Sequence, residues 1–219
     1  MIAHPSPNFG PRRDGLSPSL IVLHYTAMQS AEAALERLCD PAHEVSSHFL
    51  IGADGSSWQL VDETDRAWHA GQGSWAGMDD INSRSIGIEL DNDGQTPFAE
   101  PLMQALEALL PDIMARWGIL PAGVIGHSDM APGRKWDPGP QFDWPRLEAL
   151  GLAGQRAHDD GPQDPRFETF RRVAEYAGYT ASCSDEDLLA ATRLRYRPHA
   201  TGPVAPEDYT ALGHSALWT

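Results

Sequence analysis

Two kinds of apolar periodicity alternate along the first 150 residues, and that alternation restricts the fold more than any other feature. "SLIVLHYTA" (19–27) is a short β-branched apolar run and is predicted to be a buried strand. "SAEAALERLCD" (30–40) follows with a helical spacing at Ala33, Ala34 and Leu38, and with Ser30 as N-cap. "SSHFLIGADGSSWQLVD" (46–62) holds two strand-like runs around an Ala-Asp-Gly turn, a hairpin signature. In "SRSIGIELDN" (83–92), Ile86, Ile88 and Leu90 fall on one face, so Gly87 and Glu89 share the other. "PLMQALEALLPDIMARWGI" (101–119) is strongly amphipathic, and Pro111 within it is expected to kink or split the helix. "GVIGH" (123–127) is a last short strand. Strands interleaved with helices predict an α/β fold with a mixed sheet flanked by helices. Residues 1–18, rich in Pro, Gly and Ser, are expected to be an irregular lead-in.

A polar stretch at 154–165 separates this region, 1–153, from a helical tail, 166–219. "RFETFRRVAEYAGY", "SDEDLLAATRLRYRP" and "APEDYTALGHSALW" predict three short helices, about 55 residues in all, at the lower size limit for independent folding. Trp218, near the end of the third, is a candidate to dock on the first domain.

Composition excludes several partners. A formal net charge of −15 leaves no basic footprint for nucleic acid or an anionic membrane surface. No apolar run approaches the ~18 residues that span a bilayer. The two cysteines, Cys39 and Cys183, are far apart and form no CxxC, which fits a reducing compartment. No apolar signal segment opens the chain, so a cytoplasmic location is expected, with a periplasmic or wall-associated one as the alternative. A monomer is expected.

The chemistry-bearing residues cluster at strand ends. His24 ends the first apolar run, His127 ends the last, and Asp137 follows ten residues later in "HSDMAPGRKWDPGP" (127–140). Two imidazoles and a carboxylate are the three-ligand set of a catalytic zinc site whose fourth position is open to water. On spacing alone, a lone histidine at a strand end is more often a hydrogen-bonded structural residue than a ligand.

"IVLHYTA", "SSHFLIGADG", "AWHAG", "SIGIELDN" and "HSDMAPGRKWDPGPQFDW" stand in the order found in the zinc-dependent N-acetylmuramoyl-L-alanine amidases of type 2, relatives of the peptidoglycan recognition proteins. The resemblance covers about residues 18–150. It implies that His24, His127 and Asp137 hold Zn2+, with Asp129 outside the ligand set. It makes Glu89 the catalytic base, and Lys135, two residues before Asp137, the stabiliser of the developing oxyanion. Tyr25, His69, Asn82, Arg84 and Arg134 are candidate substrate contacts. The tail resembles a peptidoglycan-binding three-helix module, with its usual glycine-rich turn degraded to "ATGPVAPED". The implied activity is hydrolysis of the amide between N-acetylmuramic acid and L-Ala, in peptidoglycan or in muropeptides released during turnover. A catalytically inactive recognition module and a zinc peptidase acting on the stem peptide are the alternatives. The first does not need Glu89 and Lys135 beside the ligands, and the second lacks an HExxH.

Overall fold

The computed structural model describes residues 1–157, 161–210 and 212. The elements in chain order are β1 (Ile2–Ala3), β2 (Phe9–Pro11), β3 (Leu20–Tyr25), α1 (Ala31–Cys39), β4 (Phe49–Ile51), β5 (Ser57–Gln59), β6 (Asp65–Ala67) and α2 (Ile81–Arg84). Then come β7 (Ser85–Leu90), α3 (Glu100–Trp117), β8 (Val124–Gly126), α4 (His127–Met130), α5 (Trp144–Ala149), α6 (Phe167–Tyr176), α7 (Asp185–Tyr196) and α8 (Pro206–Thr210).

Six strands form one mixed sheet in the order β1-β5-β4-β7-β3-β8. The β4–β5 hairpin is antiparallel, and every other pair in the sheet is parallel. The central pair sets the site, because the register places Val22 beside Gly87 and His24 beside Glu89. One face of this pair presents Ile21, Leu23, Ile86, Ile88 and Leu90 to the apolar stripe of α3, built from Leu102, Met103, Leu106, Leu110 and Ile113. The period of two then turns His24, Gly87 and Glu89 to the opposite face.

That opposite face is shared. Leu20, Val22 and Ile125 enter one apolar cluster with Phe170, Ala174, Leu188 and Tyr196 of the C-terminal helices. The helices therefore cover the lower half of the face, and the upper half carries the polar residues. Trp218 and the end of the expected third helix lie outside the described residues.

Two local expectations fail. The lead-in is not irregular, since β1 pairs with β5 and β2 with β6. Strands of two or three residues are too short to show a period. The break at Pro111 is also absent, because α3 runs from Glu100 to Trp117 with the proline inside. Pro111 is exposed, so the carbonyl it leaves unpaired faces water while the buried stripe holds the helix on the sheet. No described helix is long and apolar enough to cross a membrane.

Candidate active site

His24 arrives from the end of β3 and Glu89 from the adjacent strand β7. β8 ends at Gly126, so His127 opens the one-turn helix α4 instead of closing a strand. The turn after α4 returns Asp137 to the same place, held by a hydrogen bond from Ser128 N–H to the Asp137 carbonyl at 2.9 Å. The Asp137 Oδ2 atom lies 2.8 Å from His24 Nδ1 and 3.0 Å from His127 Nδ1, and the two Nδ1 atoms are 3.0 Å apart. All three side chains are buried, and they are grouped closely enough to hold a metal ion.

The hydrogen bonds on the far side of each ring assign the tautomers. His127 Nε2 lies 2.8 Å from the Ala70 carbonyl, which only accepts, so Nε2 carries the proton and Nδ1 a lone pair. Ser85 donates its hydroxyl hydrogen to the Ile81 carbonyl at 2.6 Å, so it accepts from His69 Nε2 at 3.2 Å. His69 Nδ1 then accepts from His24 Nε2 at 3.0 Å. His24 and His127 thus aim unprotonated Nδ1 atoms at a carboxylate oxygen. Three electron-rich atoms converging without a proton between them suit a cation, and the donor set of two imidazoles and one carboxylate suits zinc.

Burial holds the His24 imidazole near a pKa of about 4, reinforced by His127 and partly countered by Asp137. Asp137 is pulled well below the usual carboxylate range: burial opposes this, and the neighbouring imidazoles of His127 and His24 overcome it. Glu89 moves the other way. Burial, then the charge of Asp137, raise its carboxyl well above the ordinary value, with Lys135 opposing. Its Oε2 atom is buried and has no hydrogen-bond partner among the described residues.

These groups open on a cavity of about 380 Å3, also bordered by Tyr25, Arg37, Trp68, Lys135 and Trp136. Of the expected substrate contacts, Tyr25, His69 and Arg134 reach this cavity, and Asn82 and Arg84 do not. Asn82 is buried and uses Oδ1 to receive the N–H groups of His69 and Ala70, at 3.0 and 2.8 Å. Arg84 Nε donates to the Asp79 carbonyl at 3.0 Å. Arg134 borders the cavity but spends Nη2 on the carbonyls of Ala70 (2.7 Å) and Gln72. Asp129 lies outside the His24–His127–Asp137 group, with one oxygen receiving Gly126 N–H at 2.8 Å. Ser85 and the Ala70 carbonyl escaped sequence reasoning. The alternation that grouped Gly87 with Glu89 also puts Ser85 on that face, a signal for Ser85; nothing marks a backbone carbonyl.

Gly87 is required where it stands, since a Cβ there would lie 2.5 Å from the His69 ring. Beside it, buried His48 accepts the Gly87 N–H on Nδ1 at 2.9 Å and faces the Asp65 carbonyl through Nε2 at 3.2 Å. Burial, then the Arg12 charge, push the His48 imidazole down to about 3. The unfolded chain therefore takes up a proton near pH 6.5 that the folded chain refuses, and stability falls as pH drops from 6.5 toward 3. At ~1.36 kcal/mol per unit, the His48 contribution lost by pH 4 is about 3 kcal/mol. His48→Asn keeps an acceptor for Gly87 and removes the titration. Urea unfolding of chelator-treated protein should show a shallower fall between pH 6.5 and 4 in this variant than in the parent. Equal slopes would exclude His48 as the source.

A buried His-His-Asp group grouped closely enough to hold a metal ion, beside an unpartnered glutamate in a mixed sheet, is an arrangement suited to hydrolysis. The N-acetylmuramoyl-L-alanine amidase profile (Amidase_2) matches residues 14–140, and the chain belongs to this family. It is 42% identical over 149 residues to the N-acetylmuramoyl-L-alanine amidase AmiD of Escherichia coli, covering 61% of this chain and 53% of AmiD, about half that relative's length. It is 37% identical over 163 residues to the 1,6-anhydro-N-acetylmuramyl-L-alanine amidase AmpD of Salmonella typhimurium, covering 67% of this chain and 87% of AmpD. The structure of E. coli AmiD in complex with anhydro-N-acetylmuramic acid-L-Ala-D-gamma-Glu-L-Lys aligns with a TM-score of 0.81 at 31% identity, over 95% of this chain and 90% of that one. Pseudomonas aeruginosa AmpDh3, in complex with anhydromuramic pentapeptide, aligns at 0.76 and 32% identity, over 89% of both chains.

Proposed function

We propose that the chain hydrolyses the amide bond between the lactyl group of N-acetylmuramic acid and L-Ala, in anhydromuropeptides or peptidoglycan, as part of wall turnover and recycling. The observation that carries this is the convergence of His24 Nδ1, His127 Nδ1 and Asp137 Oδ2 beside the unpartnered Oε2 of Glu89. Family membership and the muropeptides held by two similar structures support the substrate class.

His24, His127 and Asp137 hold Zn2+ in this reading. Bound zinc lowers the pKa of a coordinated water to about 7 and polarises a carbonyl. Glu89 takes a proton from the attacking water and returns it to the leaving amide nitrogen. Its raised pKa suits the second step, because a carboxyl that holds its proton more tightly is still loaded when the amine departs. Lys135 offers positive charge to the oxygen on which negative charge develops. His69 and Ser85 keep the His24 lone pair aimed inward. Tyr25, on the wall of the same cavity, is placed to contact the substrate.

The test is incubation with anhydro-N-acetylmuramic acid-L-Ala-D-gamma-Glu-L-Lys, with products identified by mass spectrometry. Free tripeptide should appear, disappear on chelation and return with added zinc. Cleavage inside the peptide would move the reading to a peptidase. Full activity after chelation would remove the metal from it.

A further inference from the structure

The helix α4 that delivers His127 has four residues, too few to hold its own orientation. Its position is set from outside, and the outside partner is the C-terminal helical region. Asp129, on α4, is fully buried, and both its oxygens are engaged. Oδ2 receives Gly126 N–H and Arg195 Nη1, each at 2.8 Å, and Oδ1 receives the Tyr179 hydroxyl at 2.6 Å. Arg195 Nη1 also donates to the Val124 carbonyl at 3.2 Å, and its guanidinium lies over the Trp144 ring at 4.1 Å. One arginine of α7 therefore grips both β8 and α4, on either side of the peptide that leads into His127.

The second flank is held in the same way. The Ala70 carbonyl that orients His127 belongs to the loop running to Met78, and that loop is tied to the same region. The Gly178 carbonyl receives Ala76 N–H at 2.8 Å, and Thr180 Oγ1 contacts Ser74 Oγ at 2.8 Å. A Cβ on Gly178 would lie 2.6 Å from the Trp75 ring, so this fit is close. The turn toward Lys135 is also touched, since a Cβ on Gly133 would meet the Asp187 carboxyl at 2.5 Å.

We propose that the C-terminal helices are a clamp that positions the metal ligands, with Arg195 and Tyr179 as its positioning residues. Through Asp129 they set where His127 stands, and through the Ser128-to-Asp137 hydrogen bond they set Asp137. The clamp rests on the zinc reading above and goes beyond it, because it assigns to the helices a part in metal affinity.

The test measures zinc affinity of the full chain by chelator competition, with circular dichroism and a melting curve for each variant. Tyr179→Phe removes one hydrogen bond to a buried carboxylate and should weaken zinc binding by roughly 3- to 10-fold. Arg195→Met should weaken it by about 10- to 100-fold, the range for partners that orient ligands. Tyr209→Phe is the control. Its hydroxyl bonds only Arg166 and Thr169 among the described residues, so it should lower the melting temperature and leave zinc affinity unchanged. If Arg195→Met does not fold, Tyr179→Phe decides. Folded Tyr179→Phe with parental affinity overturns the clamp, as does an equal loss in Tyr209→Phe. Absence of zinc binding in the parent protein overturns the zinc reading and the clamp together, so the two failures are separable.

Discussion

Asp137→Ala should give a folded protein that no longer retains zinc and no longer turns over muropeptide. Asp137 is the only carboxylate of the convergent group, and its Oδ2 faces both Nδ1 atoms within 3.0 Å. Removing it leaves two neutral imidazoles to hold a dication. Losing an outer partner that orients a ligand costs about 10- to 100-fold in metal affinity, and losing a ligand of this charge should exceed that range. Two measurements check the expectation: metal content after dialysis, and the melting temperature with added zinc. The parent should be stabilised by the added ion in proportion to the logarithm of its concentration over Kd, and the variant should not. The fold should survive, because the bond from Ser128 N–H to the Asp137 carbonyl that holds the turn is made by backbone atoms and is kept in the variant. A variant that keeps one zinc per chain at parental affinity would exclude Asp137 as a ligand.

Glu89→Gln should separate binding from chemistry. The amide matches the carboxyl in shape, so β7 and its pairing with His24 stay intact, yet it cannot accept and return a proton. Zinc content should be unchanged and kcat should fall by roughly 10^2- to 10^4-fold, the usual contribution of a general base. KM should change little, since the loss falls on the transition state and not on uniform binding. Stability should hold or rise slightly, because a carboxyl whose pKa is lifted by burial carries a desolvation cost that an amide lacks. Parental kcat in this variant would return the base assignment to another residue, with Tyr25 the next group on the cavity wall.

The local part of the site is readable because period and chemistry coincide there. In "SIGIELDN" the alternation that buries Ile86, Ile88 and Leu90 under α3 also forces Gly87 and Glu89 outward, and Ser30 caps α1 as its hydroxyl chemistry requires. Other parts are illegible for physical reasons. β1 and β2 are too short to show a period. Pro111 looks like a helix break until the burial of the stripe around it is known. Asn82 and Arg84 look like free polar groups beside the glutamate strand, and only their partners show them spent on backbone. Asp129 and Asp137 are equally acidic, and the turn between them does not say which one faces the histidines.

Side-chain period and motif spacing therefore show the longer strands and helices, which faces are apolar and which residue types can carry the chemistry. They act within a few residues, where backbone geometry alone dictates direction. The strand order, the His24–Glu89 register, the tautomers of His24 and His127, and the grip of Arg195 and Tyr179 on Asp129 belong to the tertiary structure. The side-chain contacts among them join residues remote in sequence, from 16 positions between His69 and Ser85 to 66 between Asp129 and Arg195. Contacts at that range leave no periodic trace, because they are chosen by the burial of whole faces and not by the spacing of neighbours.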